Sequence, residues 1–443
     1  MRYAQALTSA LTSGDSSVVS SGLVDSPEAA AVTERTFRSE RVDVVVVAPL
    51  MAAPPGFVTP MLASLQRPVV IWVDDRAVTV DESIDEIEAT RQSSFLGSIM
   101  LSSALRAAGV RYHVVATAAQ NGAGVLRAAR GAAVKTILSE LRIGVIGGPL
   151  AGYSDVLLDP HAASTLGVSV VQVDSGSFTK SYVDSKLPAE SFWTSIAKLG
   201  VVKPDAEPAL ASSVALTLDL QRIVGENDLS ALVINCHADY LRWHKDRGIV
   251  GCLGASVLTS AGVPVSCTGD AATAVPLAIA TWLSRDTQYA EGYVIGRQTG
   301  ELLISSCGLA NFNLRHRSHP LEFRGNDLYP GARGNGCSVR MAFAEGPTTL
   351  LALAGNSPTL RPRFVWKSGI MSGRYFKQMN GPSGTLTFDS PDDRETSSTW
   401  VSAAPSHHFA VTRGHLDVEL KAAAAFVDAD FVRADSDQKG GNT

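Results

Sequence analysis

The chain has few cysteines, no long apolar run and no block of like charge, and each shortage removes a class of protein. Its five cysteines, Cys236, Cys252, Cys267, Cys307 and Cys337, are odd in number, widely spaced and free of any Cys-x-x-Cys pair. That spacing argues against a disulfide framework or a structural zinc site and suits a reducing cytoplasm. No apolar stretch is long enough to span a bilayer, so no membrane partner is expected. Residues 1–35 are rich in Ser, Ala, Thr and Val. They lack a basic start followed by a sustained apolar run, so no secretory signal is expected there. The net charge is -5 and scattered, with no basic block interleaved with aromatics, and no nucleic-acid partner is expected. What remains is globular composition, 45% hydrophobic and 18% charged over 443 residues, with room for two or three domains.

Residues 1–41 are expected to be a poorly ordered extension or an oligomer arm. The globular pattern starts with the β-branched run Val44-Val45-Val46-Val47, which predicts a strand buried on both faces. A second strand follows at 68–73, with Pro68 at its first position, where proline is tolerated. Helical periodicity over 81–108 opens with Asp81 and Glu82 and stops at Gly109. A strand at 112–116 and a helix at 122–139 complete an α/β unit over 42–140. A second α/β unit, 141–295, alternates strands at 142–146, 168–173, 231–236 and near 265 with helices near 153–166, 209–224 and 252–261. From about 300 the texture changes to short strands separated by Gly, Pro and Asn. An antiparallel β-rich C-terminal domain is therefore expected over 296–443, closed by a helix at 416–426. The predicted fold class is α/β, two doubly wound parallel-sheet domains followed by that β-rich domain.

The segment Pro264-Val265-Ser266-Cys267-Thr268-Gly269-Asp270 reads as a short strand entering a Gly turn, with an acid before an Ala-rich helix. α/β proteins place ligands at strand C-terminal ends. Asp270 is also a favoured helix N-cap residue, and both roles can hold together.

Several segments in order resemble the L-fucose and L-arabinose isomerase superfamily. They are Gly147-Gly148-Pro149, Leu166-Gly167-Val168, Gly251-Cys252-Leu253-Gly254, the segment ending at Asp270, Ser306-Cys307-Gly308 and His407-His408. The resemblance spans roughly residues 42–435. It implies an aldose–ketose isomerase acting on a small polyhydroxylated substrate in a homo-oligomer. It also implies a divalent ion, Mn2+ or similar, held by two carboxylates and a histidine and assisting proton transfer through an enediol. Carried over residue by residue, it casts Glu291 and Asp270 as catalytic carboxylates and Glu291, Asp270, His407 and His408 as metal ligands. Thr268, His237, Ser306 and His319 become substrate contacts. This chain departs from the pattern at Thr268, which stands where the superfamily often carries the first ligand Glu.

Each residue also has a plainer reading. Glu291 suits a surface loop, and His319 and nearby His316 suit solvated loop positions. His237 lies close to Asp239 and suits a structural His–Asp pair. Cys267 and Cys307 suit small buried hydrophobes. Adjacent strand residues face opposite ways, so one of His407 and His408 at most is expected to enter a pocket. Two other functions stand beside the isomerase: a repurposed fold catalysing a different step, with or without a metal, on a non-sugar substrate, and a non-enzymatic sugar-binding protein.

Overall fold

The computed structural model describes residues 8–9, 11–12, 16–74, 81–118, 122–149, 151–174, 186–236, 249–296, 298–326, 336–389 and 393–434. The chain divides into two compact units. One is Met1–Ile137 with Asp417–Val427, the other Leu138–Leu416 with Asp428–Thr443.

The first unit contains helix α1 (Pro27–Ser39), strand β1 (Val45–Val47), α2 (Val58–Leu65), β2 (Val69–Asp74), α3 (Glu86–Arg91), α4 (Ser94–Ala107), β3 (Tyr112–Thr117) and the start of α5 (Gly122–Glu140). β1, β2 and β3 form a parallel sheet in that order. β2 shows why the sheet is double-faced: Val69, Val70, Ile71 and Trp72 have no exposed surface. Val69 and Ile71 pack with Leu62, Leu65, Leu101 and Leu105, while Val70 and Trp72 pack with Val125, Ala128, Ala132, Ala422 and Phe426. Burying such a side chain contributes about 1.5–3 kcal/mol.

Three expectations are corrected here. Residues within the supposed 1–41 extension form α1, because Ser26 caps it by accepting from Ala29 N–H at 3.1 Å, Pro27 opens it, and Ala30 and Thr33 are buried. The helix expected over 81–108 is two helices, α3 and α4, parted at Gln92-Ser93. The helix expected to close the β-rich domain packs in the first unit instead.

The second unit is built on β4 (Arg142–Ile146), α6 (Pro160–Leu166), β5 (Ser169–Gln172), α7 (Lys186–Ala197), β6 (Val201–Val202), α8 (Leu210–Glu226), β7 (Ala231–Ile234), α9 (Cys252–Ser260), β8 (Val265–Ser266) and α10 (Ala271–Ser284). Strands β5-β4-β7-β8 form a parallel sheet in that order. The order reverses direction between β4 and β7, the arrangement that opens a crevice at the strands' carboxyl ends.

The remaining strands are β9 (Thr287–Ile295), β10 (Leu302–Ser305), β11 (Glu322–Gly325), β12 (Cys337–Arg340), β13 (Gly346–Ala354), β14 (Arg363–Met371), β15 (Ser383–Phe388), β16 (His408–Arg413) and β17 (Asp430–Arg433). Helix α11 (Asp393–Ser402) precedes β16, and α12 (Asp417–Ala424) follows it. The order β13-β16-β9-β10-β15-β14 closes on itself through the antiparallel β13–β14 ladder, giving a six-stranded barrel, with β17 parallel to part of β14. β9 belongs to the barrel although its sequence lies ahead of the change in texture near 300. α10 packs on β4, β7 and β8 of the sheet and on β9, β13 and β16 of the barrel. It therefore joins the two layers of this unit, and its apolar run from Val275 to Ala280 is buried all round. Among the described residues no helix is long and apolar enough to cross a membrane.

Candidate metal centre

Where β8 meets α10, the backbone makes a tight corner. Thr268 adopts φ +61° and Gly269 φ +73°. A left-handed φ is rare for a β-branched residue and costs on the order of 1–3 kcal/mol. A Cβ on Gly269 would lie 2.6 Å from the Gly148 carbonyl oxygen, so only glycine lets this corner approach the loop after β4. The next residue, Asp270, is fully buried. It caps α10 by accepting from Thr273 N–H at 2.7 Å. Its other oxygen accepts from Thr273 Oγ1 at 2.7 Å, Ser406 Oγ at 3.1 Å and His408 Nδ1 at 2.7 Å.

A carboxylate can only accept, so this bond places the His408 proton on Nδ1 and leaves Nε2 as the lone-pair nitrogen. His408 opens β16 and pairs across the ladder with Glu291 of β9. His408 Nε2 lies 3.8 Å from Glu291 Oε2. His407 precedes the strand, so strand alternation does not yet govern it, and its ring stands 3.7 Å from that of His408, centroid to centroid. Its Nδ1 faces Asp155 Oδ2 at 2.5 Å, and the same oxygen accepts from its backbone N–H at 3.0 Å. Both histidines thus face one group, where the alternation rule admits only one. One donor atom from each of Glu291, His407 and His408 lies within 4.8 Å of the others.

Each of these three side chains is held from behind. Asp155 fixes His407, Asp270 fixes His408, and Tyr293 Oη donates to Glu291 Oε1 at 2.8 Å. The last contact lies at a bulge, where the register steps from Ile304 opposite Gly292 to Leu303 opposite Val294. Burial alone pushes the Asp155 carboxyl upward, but the bonds from His407 outweigh it and hold that carboxyl below its ordinary range. Tyr289 lies under His408 with ring centroids 4.6 Å apart. Burial, then the neighbouring Cys267 and Asp270, push its phenol well above the usual value, so it stays protonated.

This donor set fits a divalent transition ion. Two imidazoles with carboxylate-bonded Nδ1 atoms and one carboxylate oxygen suit Zn2+, Fe2+ or Mn2+. Besides Glu291, the carboxylates of Asp155 and Asp270 stand behind the two histidines, and a dication would offset the negative charge gathered there. Carboxylate–histidine pairs of this kind orient ligands and raise their basicity.

The other expected site residues are placed as follows. Thr268 Oγ1 lies 3.4 Å from Tyr289 Oη. Ser306 is buried and donates to the Leu309 carbonyl at 2.7 Å, a bond within its own turn. His319 stacks with Tyr375 and tilts against His316. His237 lies outside the described residues. Asp155, Tyr289 and Tyr293 are the positions that sequence reasoning did not assign. The spacing Tyr289-Ala290-Glu291-Gly292-Tyr293 carried a signal for the tyrosines, whereas no sequence feature joins Asp155 to His407. No protein-family model matches the chain, and no curated protein sequence matches it.

Proposed function

We propose that the chain is a divalent-metal enzyme of the aldose–ketose isomerase type, acting on a small polyhydroxylated substrate. The observation that supports it is the triple pairing behind the ligands: Glu291, His407 and His408 each have one polar atom held by a partner while their donor atoms cluster. Orienting partners on all three donors cost ordering entropy that exposed side chains do not otherwise repay.

Glu291, His407 and His408 would hold the ion. When bound, it would polarise a substrate carbonyl and adjacent hydroxyl, acidifying the C–H between them. Asp270 keeps the His408 proton on Nδ1 and so keeps Nε2 available. Asp155 does the same for His407. The protonated phenol of Tyr289, beside the Thr268 hydroxyl, offers hydrogen bonding to a polar substrate group. Mn2+ is the ion the superfamily resemblance implies, and the second imidazole admits Zn2+ or Fe2+ equally. We further place the enzyme in the cytoplasm as a homo-oligomer. All five cysteines are thiols, not joined in disulfides, and Tyr293, Val294 and Ile295 present an apolar, exposed strand end.

The engagement of both Asp270 oxygens favours a second reading. A carboxylate with four donors on it, Thr273 N–H, Thr273 Oγ1, Ser406 Oγ and His408 Nδ1, is a poor mobile base. The chemistry would then be a different step on a non-sugar substrate. Elemental analysis of the purified protein, with and without Glu291→Gln, tests the metal. Aldopentoses and aldohexoses assayed for ketose formation test the reaction. Stoichiometric metal lost in Glu291→Gln, with ketose formed, is the expected result. Metal without ketose would leave the second reading in a metal-assisted form, and no metal in either protein would sink the isomerase reading and leave only a metal-independent step.

A further inference from the structure

Four of the five thiols meet beside the Glu291 group. Cys307 Sγ lies 3.6 Å from Cys267 Sγ. Cys252 Sγ donates to the Cys307 carbonyl at 3.8 Å. Cys236 accepts from Gly251 N–H at 3.1 Å and is hydrogen bonded to Cys267. The two sulfurs in closest register come from different layers. Cys267 follows β8 of the parallel sheet, one residue before Thr268. Cys307 follows the end of β10, whose Ser305 pairs across the ladder with Glu291. Cys267 is buried, whereas Cys307 keeps partial exposure as a residue although its sulfur is enclosed, which makes Cys307 the more open of the two to an oxidant.

We propose that Cys267 and Cys307 form a reversible disulfide under hydroperoxide stress, and that its formation weakens the Glu291–His407–His408 site. The second part rests on the metal reading above; the first does not.

The chemistry balances with a hydroperoxide as oxidant. The Cys307 sulfur, as thiolate, attacks the terminal peroxide oxygen and breaks the O–O bond. This releases an alcohol, or water from hydrogen peroxide, and leaves a sulfenic acid. The Cys267 sulfur then displaces hydroxide from that sulfenic acid, its proton completing a water molecule. Two thiols and one hydroperoxide become one disulfide, one alcohol and one water. Hydrogen bonding with Cys252 and Cys267, then burial, push the Cys307 thiol well up, which makes the first step slow. The second step is intramolecular between sulfurs already in contact, so the sulfenic acid is captured before a second oxidation.

The effect on the metal follows from distance. A disulfide is about 2.05 Å long, so bonding draws the two sulfurs together by roughly 1.5 Å, a movement shared between side-chain rotation and the backbones of the β8–α10 corner and the end of β10. Ligand distances in metal sites tolerate only about 0.2 Å. Thr268, which touches Tyr289 under His408, and Ser305, opposite Glu291, lie next to the two anchor points.

The test uses the full chain, folded and reduced, exposed to hydrogen peroxide and mapped by peptide mass spectrometry under alkylation. A Cys267–Cys307 cross-link, reversed by dithiothreitol and lost in Cys307→Ser and in Cys267→Ser, is the expected result. Sulfinic acid on Cys307 without a cross-link would overturn the proposal. So would a Cys236–Cys267 link, or unmodified thiols. Titration of reduced and oxidised protein with Mn2+ and with Zn2+ then reads the second part, where a fall in affinity of about 10–100-fold on oxidation is expected. Equal affinity would overturn the coupling while leaving the disulfide. Absent binding in the reduced protein would overturn the metal reading and the coupling, with the disulfide still judged by its mass.

Discussion

Glu419 in the first unit and Asp270 in the second are both buried carboxylates, and they differ in what their partners have left over. Glu419 takes the Arg127 guanidinium in a two-pronged pair, Nε to Oε1 at 2.6 Å and NH2 to Oε2 at 2.8 Å. That pair clips α12 to α5, where a Cβ on Gly131 would lie 2.1 Å from the Glu419 carbonyl oxygen. Arg127 has no lone pair to offer, so the contact ends in packing. Asp270 takes His408 through one ring nitrogen and leaves the other as a donor atom beside Glu291. A buried acid paired with arginine closes a joint, while one paired with histidine passes orientation on to a third group.

The largest effect that separates the two is expected at Asp270. Asp270→Ala removes the α10 cap and strands His408 and three other donors, costing about 3–5 kcal/mol in urea unfolding. Asp270→Asn keeps an oxygen for the cap and is expected to retain more of the stability while losing metal affinity by about 10–100-fold, measured by titration with Mn2+ or Zn2+. A fold that loses stability and keeps its affinity would place Asp270 with Glu419 as a purely structural acid.

Next in size is the joint itself. Gly131→Leu must push α12 off α5 and is expected to cost about 1–3 kcal/mol, read by thermal unfolding, with metal affinity unchanged. Arg127→Ala is smaller, about 1 kcal/mol, because the guanidinium is 41% exposed and solvent screens it. Asp155→Asn should lower metal affinity about 10-fold at near-native stability, since Asp155 is 39% exposed and holds no helix cap. Equal losses of affinity and stability would erase the distinction between orienting and clipping carboxylates.

The smallest effect lies at Glu301 on the barrel. Burial alone pushes its carboxyl up, yet Arg374, Thr299 and Thr385 outweigh it and hold it below the ordinary value. A depressed folded value means the unfolded chain binds the proton more tightly. The contribution is therefore complete above the unfolded glutamate value of about 4.3 and lost as pH falls through the lowered folded value. Arg374→Gln should flatten that acid limb in urea midpoints taken from pH 5 downward. An unaltered limb would show that the pair contributes nothing.

Much of the architecture was legible because its signals are local. The run Val69-Val70-Ile71-Trp72 reads as a strand covered on both sides, and it is. The passage from strand–helix alternation to closely spaced strands marks the barrel, although β9 already belongs to it. Periodicity says that residues 416–426 form an apolar-faced helix but not which face receives it, and the face lies in the first unit. The candidate site divides in the same way. His407-His408, Glu291 and Asp270 stood out by residue type and position. The close approach of the two histidine rings depends on His407 lying just outside the strand, and Asp155 depends on a tertiary meeting across 252 positions of chain. Neither distance is written in a window of sequence.

The return of α12 to the first unit has a consequence for synthesis. Translation delivers residues 1–416, barrel strands included, before the segment formed by α12 and the turn after it, which carries Ala422 and Phe426, leaves the ribosome. Until then Val70, Trp72 and Val125 lack two of the side chains they pack with in the finished molecule. The segment made first is therefore among the last to be sealed, and a nascent chain halted before Asp417 would present that apolar face to chaperones while holding every strand of the barrel.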